Sequence, residues 1–393
     1  MKLQSNNITV IGGGTAGHLT VLFLHKHFPN KDITWIFPKD NNPIGVGEAS
    51  VPYVQNFLQG LGISITDILE SAQGNLKLGI KFKKFFDTDR YHPFGNDREE
   101  SETLLDFMKL NKVPDNIIKY NDIATQFDTT LILPIIYDMV KDNVKILRRE
   151  FCEKDIKDIV IDCTGFNRHV LSKYNFKGIE QSQKIQNNTA LVFKTKKVFN
   201  EPYSTFTALS YGWTWKIPLQ NKTSFGYVFN SDKISINDAK IKFKKYLKSL
   251  NLYEKRGFTL IPMITGRNKE YFIETDNAII TSIGLSSFFI EPLESTGLYF
   301  VCYSLNLLKD VINGDITETE YTNIFNKEFD GVIDFILAHF TESTHPEFEY
   351  IVEQPELYKD IDIFPTQSWD YLLDEKLSNK EIAVSSIQKL KRI

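Results

Sequence analysis

Short apolar runs that end in glycine recur towards both ends of the chain. Ile8-Thr9-Val10-Ile11 runs into Gly12, Ile33 to Phe37 repeats the pattern, and Ala16 to His27 between them is helix-like. This is a strand, glycine turn, helix, strand unit, the start of a parallel sheet with helices over its faces. The same style returns at Asp158 to Asp162 and at Ala278 to Ser282, each followed at once by small residues. Between these, Thr189 to Phe193, Tyr203 to Leu209 and Thr223 to Phe229 carry the aromatic alternation of antiparallel strands. Asp238 to Leu250 and Gly297 to Ile312 read as helices, and the C-terminal third is mostly helical. The pattern predicts an α/β (α+β) fold: a nucleotide-binding module interrupted by insertions, with a second layer packed on it. No repeat, low-complexity tract or Pro/Gly/Ser linker cuts the chain, so a single unit over residues 1–393 is expected.

Composition narrows the class. A 42% hydrophobic and 24% charged chain of 393 residues is not a disordered one. With 46 basic and 50 acidic residues it lacks the cationic footprint of a nucleic-acid or anionic-membrane binder. Cys152, Cys163 and Cys302 form no CxxC pair, which argues against a disulfide scaffold or zinc site and for a reducing, cytoplasmic setting. Neither a signal-peptide pattern nor an apolar run of membrane-spanning length is seen. The close pair His25 and His27 points to different sides of a helix, so no metal is expected.

Five segments are candidates for chemistry. Gly12-Gly13-Gly14-Thr15-Ala16-Gly17 is GxGxxG between a strand and a helix. A dinucleotide site needs these glycines for the turn, for backbone approach to a pyrophosphate and for helix packing. The acidic residue expected at the end of the second strand, for the adenosine ribose, is missing, since that strand ends Trp35-Ile36-Phe37-Pro38. Gly45-Val46-Gly47-Glu48-Ala49 is a plain loop or one that lies against a flat ligand. Trp213-Thr214-Trp215 places two indoles on one strand face before Pro218, a pattern that ordinarily means core packing. Glu291-Pro292-Leu293-Glu294-Ser295-Thr296-Gly297 is a helix start capped by Ser295 or Thr296, or an anion site with a carboxylate beside it. Lys77 and Lys81, with period two, share a strand face, either as surface residues or with one buried and its pKa lowered.

WxWxIP at Trp213 to Pro218, taken with the N-terminal GxGxxG, resembles the paired signature of the flavin-dependent halogenases, the tryptophan halogenase family. Ile44 to Ser50, Leu76 to Phe82, Asp162 to Phe166, Ile283 to Gly297 and Asp334 to His339 resemble further family segments. The resemblance implies a flavin monooxygenase-like fold that takes up reduced FAD made by a separate flavin reductase. Oxygen and a halide ion would yield hypohalous acid, which passes through a tunnel to Lys77 beside an aromatic substrate. It assigns Glu294 to assist catalysis and Thr296 and Gly297 to bind halide. Gly12, Gly14, Thr15, Ala16, Gly17, Gly45, Val46, Gly47, Glu48, Ala49, Gly284 and Leu293 would contact FAD. His92, Phe94, Trp213, Trp215, Pro218 and Ser295 would line the substrate and tunnel side. The FAD-binding module would come from segments 5–55, 140–175 and 258–320, and the substrate-side module from 56–139, 176–257 and 321–393.

Three departures qualify the resemblance. Phe37 replaces an acidic residue, the stretch from Asp128 to Asp162 is short, and the sequence after Ser368-Trp369 is brief and charged. The last predicts an open site that accepts phenols, indoles and anilines, with free tryptophan poor and bromide or iodide ahead of chloride. The alternative reading is a flavin monooxygenase or oxidase without halogenation; a third is a nucleotide-binding protein without turnover. Neither nucleic acid nor membrane is an expected partner, and the chain is compatible with a homo-oligomer.

Overall fold

The computed structural model describes residues 5–40, 48–114, 117, 123–174, 180–253, 257–349, 351, 353–384 and 388. A six-stranded sheet has the order 272–274, 278–282, 158–162, 7–11, 32–37, 145–148. All its neighbours run parallel except the edge pair 272–274 and 278–282. The register sets Ile11 beside Ile36 and Asp162, and Asp162 beside Ser282, so these strands finish along one edge. Such an edge is where open parallel sheets bind ligands. The strand Asn7–Ile11 passes through Gly12 into the helix Thr15–His27, as the pattern predicts.

Gly12 has φ +128°, and a Cβ there would lie 2.2 Å from the Cys163 carbonyl oxygen. A Cβ on Gly17 would lie 2.1 Å from the Gly12 oxygen. Both glycines are therefore required by the fold itself, one for the turn and one for helix-on-strand contact.

A seven-stranded sheet, order 259–262, 189–195, 223–229, 212–218, 204–209, 79–83, 90–93, forms the second layer. One face carries the helix Ile236–Ser249 over Leu191, Phe225, Tyr227 and Phe229. The strand Glu48–Ala49 joins 124–127 and 75–77 in a small separate sheet. This corrects the expectation for Lys77 and Lys81. Lys77 ends the strand Asn75–Lys77, whereas Lys81 belongs to Gly79–Lys83 in the large sheet. At the break the Leu78 amide donates to the Pro202 carbonyl (2.8 Å) instead of continuing the ladder. The two lysines share neither strand nor face.

Two long helices, Gly297–Asn313 and Glu318–Thr341, close the molecule. The first stops at Gly314 in the left-handed region, and the second starts with a Thr317/Glu320 capping box. The C-terminal segment is docked against the rest of the molecule. Trp369, Tyr371 and Leu372 are buried, Thr88 donates to Glu375 (3.0 Å), and the Ala383 amide donates to Asp106 (3.0 Å). The hydrogen-bond partners of Glu375 and Ala383 here, Thr88 and Asp106, are too distant in sequence for composition to reveal them. Among the described residues no helix is long and apolar enough to cross a membrane.

Candidate active site

Lys77 is turned inward by the break after it and is 0% exposed. Its Nζ donates to the Ser50 carbonyl and to Ser295 Oγ, both at 2.9 Å, and stands 5.1 Å from the centre of the Phe94 ring. Burial strips the ammonium of water and lowers its pKa to about 7, although the charge of Glu294 pulls the other way. Burial thus favours the neutral amine here more than water does. Lys81, by contrast, is half-buried and pairs with Asp89 at 3.1 Å.

Glu294 ends the short 3-10 turn Pro292–Glu294, and Ser295 follows with φ +61°. That left-handed conformation is uncommon for a residue with a Cβ, and such positions concentrate at functional sites. It aims Ser295 Oγ at Lys77 and turns the chain into the helix Gly297–Asn313. The Glu294 carboxylate is fully buried between two imidazoles. His92 Nδ1 lies 3.0 Å from Oε2, and His339 Nε2 lies 2.8 Å from Oε1 in a charge contact without the alignment of a hydrogen bond. His339 Nδ1 is 2.8 Å from the Phe335 carbonyl, which can only accept, so that nitrogen carries a proton and the other faces the carboxylate. Burial is the largest single influence on Glu294 and pushes it up. The close imidazoles of His92 and His339 together outweigh it and hold the carboxyl down to about 2.

Aromatic rings surround this pair. His92 lies 6.0 Å from Phe94, 5.6 Å from Phe335 and 5.9 Å from Phe364, and Phe335 stacks on Phe364 at 4.1 Å. Trp369 stands edge-on to Phe335 at 4.8 Å. Trp213 and Trp215 sit on one face of the strand Gly212–Pro218 with centroids 6.3 Å apart. The Trp213 indole N–H donates to Glu291, whose same oxygen accepts from Asn187 (2.9 Å). Burial pushes Glu291 up to about 7. Pro218 closes the strand, and its carbonyl accepts from Asn75 (3.2 Å).

The glycine turn fits a dinucleotide. Gly14 has nothing within 4 Å of where a Cβ would be, and the helix after it has no side-chain cap and no acidic residue in its first turn. Its first N–H groups, with Thr15 and Ala16 at the start, suit a negatively charged group. Gly284, with φ +73°, faces Ala16 across this edge. The second helix start is similar. Gly297 is open on the same test, the first turn holds no acid, and the buried Thr296 Oγ1 has no partner. Leu293 is buried in the core. Gly45, Val46 and Gly47 lie outside the described residues, while Glu48 and Ala49 pair with Phe127 and Gln126. Phe37 is buried against Trp35 (4.5 Å), with the Arg148 guanidinium 5.2 Å from its ring centre, so this strand ends in an aromatic surface rather than a carboxylate.

The fold thus brings Lys77, His92, Phe94, Glu294 and Ser295 into one buried cluster. Trp213 and Trp215 join the 291–297 turn through Glu291. Ser50, His339, Phe335 and Phe364 are the residues that sequence reasoning left without a role. Phe335 and His339 are four apart on one helix face, a spacing visible in the sequence, but nothing local showed what that face meets.

A family model described as tryptophan halogenase matches residues 7–116 and 134–355. The chain is 26% identical over 414 residues to tryptophan 6-halogenase ThaL of Streptomyces albogriseolus, covering 86% of this chain and 77% of that protein. It is equally similar, over the same shares, to tryptophan 7-halogenase RebH of Lentzea aerocolonigenes. In fold it resembles a tryptophan halogenase from Shewanella frigidimarina (TM-score 0.82, 18% identity, 100% of this chain and 94% of that one). It also resembles tryptophan 6-halogenase SttH of Streptomyces toxytricini (TM-score 0.80, 21% identity, 98% and 94%).

Proposed function

The chain belongs to the tryptophan halogenase family, and we propose that it halogenates a small electron-rich aromatic of indole, phenol or aniline type through Lys77, with Glu294 assisting. The observation that carries this reading is the buried pairing of the two: an amine whose pKa burial lowers, hydrogen-bonded to the serine that follows a carboxylate held in its charged form. A protein that only binds nucleotides has no use for either group, and burying both is costly.

Gly12, Gly14, Thr15, Ala16 and Gly17 hold the phosphates of FAD, with Gly284 and Leu293 against the same edge. When bound in its reduced form, FAD supplies the electrons with which oxygen and halide become hypohalous acid. Thr296 and Gly297 hold the halide. The segments 5–55, 140–175 and 258–320 form the FAD-binding module, and the remainder forms the substrate side. Trp213 and Trp215 keep the substrate from the flavin.

The Lys77 ammonium can hold hypohalous acid by a hydrogen bond. Its neutral form can attack the halogen instead, forming N–X while hydroxide leaves and takes the amine proton as water. The arene carbon then bonds the halogen, the N–X electron pair returns to nitrogen, and the displaced ring proton restores the amine. Placing oxidant and ring together replaces a diffusional encounter by an oriented one. A carboxylate held at about 2 is a weak base, so the larger contribution of Glu294 is to stabilise the cationic ring.

The test combines protein, a flavin reductase, NADH, FAD and oxygen with chloride, bromide or iodide over a panel of aromatics, read by mass spectrometry. Halide-dependent halogenated product is expected, and protein with FAD and NADH but no reductase leaves the flavin oxidised. Hydroxylated product without halide, or rapid NADH consumption by the protein alone, would overturn the reading.

A further inference from the structure

The helix Glu318–Thr341 buries the carboxylate of Glu328. Glu328 accepts three hydrogen bonds: from Tyr299 Oη (2.7 Å) and from the backbone amides of Asp362 (2.9 Å) and Ile363 (3.1 Å). Every donor is neutral, and burial raises the carboxyl above its ordinary value. A buried acid that, among the described residues, makes no ion pair is an expensive anchor if apolar packing alone would hold the segment. What it anchors is specific. Tyr299 lies in the helix that begins at Gly297, and the two amides belong to a stretch outside regular structure that runs into Phe364. Phe364 is the ring stacked on Phe335 and set 5.9 Å from His92.

A second contact fixes the same stretch from another side. Ile361 packs where Gly331 lacks a side chain, and a Cβ there would sit 2.3 Å from Ile361 Cγ2. One turn of helix thus carries both a carboxylate that grips the backbone of 362–363 and a notch that seats residue 361.

We propose that Glu328 is a positioning residue for substrate: by clasping the amides of Asp362 and Ile363 it sets the Phe364 ring and completes the aromatic wall around His92. The proposal rests on reading this cluster as the halogenation site. Glu328 touches no reacting atom. It acts through Phe364, and by joining Tyr299 to the cover it couples the helix that starts at the anion-binding turn to the substrate side. The Glu328 and Gly331 contacts hold residues 361–363 directly, so their loss is felt in substrate affinity rather than in production of the oxidant.

The test uses Glu328→Gln, which keeps one acceptor oxygen but puts an amide N–H₂ against donors, and Gly331→Ala, which displaces Ile361 without touching any polar group. Hydrogen exchange at the amides of 362 and 363, indole affinity by titration, and hypohalous acid release to a diketone trap are measured on the full chain. Both variants should lose protection at 362–363 and bind indole about tenfold more weakly. KM for the aromatic should rise with kcat within about twofold, while oxidant release stays at the wild-type level. Unchanged protection, or lost protection with unchanged indole affinity and KM, overturns the proposal. A parallel fall in oxidant release would make Glu328 merely structural, which also overturns it. If wild type releases no oxidant at all, the halogenase reading fails separately, and exchange with indole affinity still decides the clasp.

Discussion

Replacing Glu294 by Gln removes one charge from the middle of the site while keeping its size. Holding this fully buried carboxyl at about 2 against an ordinary 4.5 corresponds to roughly 3 kcal/mol of differential interaction in favour of the charged form. The folded-state pKa is lowered, so that contribution is present above the unfolded value and is lost as pH falls towards 2. The stability gap between wild type and Glu294→Gln should therefore be widest near neutral pH and narrow progressively below about 4.5. In catalysis, an amide cannot balance a cationic ring, and loss of one preorganised electrostatic contact of this kind lowers rate about 10²–10³-fold. Glu294 also raises the pKa of Lys77, so its removal should move the acidic limb of the pH–rate profile to lower pH. The assay follows halogenated arene and trapped oxidant in parallel under excess reduced flavin. The expected result is a large loss of arene product, near-normal oxidant release and a downward shift of the limb. Equal losses in both products, or a limb that moves up, would refute the electrostatic assignment.

Lys77→Ala should abolish arene halogenation while reduced-flavin oxidation continues, with Lys81→Ala, in the other sheet, close to wild type; a normal rate and product pattern from Lys77→Ala would remove the lysine from the mechanism. Gly14→Ala and Gly17→Ala separate fold from cofactor. Gly14 has open space around it and Gly17 meets the Gly12 oxygen at 2.1 Å, so Gly14→Ala should keep its thermal midpoint yet quench FAD fluorescence much less, whereas Gly17→Ala should lose several degrees of Tm. Retention of full FAD affinity by Gly14→Ala would show that the phosphates lie elsewhere.

Much of the framework is written locally. The turn at Gly12 to Gly17 is legible because its constraints are steric and span only six residues: a positive φ at Gly12 and a backbone contact at Gly17. The strands at 189–195, 204–209 and 223–229 follow the alternation that predicted them, since a pleated strand repeats every two residues wherever it lies. Period alone could not separate Lys77 from Lys81. The difference arises at Leu78, where the chain leaves one sheet for another to meet Pro202, a partner far along the sequence. The C-terminal cover was likewise invisible, because its anchors, Glu328 and Gly331, lie in a helix that the sequence presents as an ordinary one.

Glu291 and Glu294 make the division plainest. They are the same residue type, three positions apart in one short motif, and both are completely buried. Position in the chain determines that they flank the turn into the helix at Gly297. Tertiary structure alone decides that one meets the neutral N–H groups of Trp213 and Asn187 and titrates near 7, while the other lies between His92 and His339 and titrates near 2. Desolvation raises both. Only the second has cation-forming partners brought across the fold to reverse it.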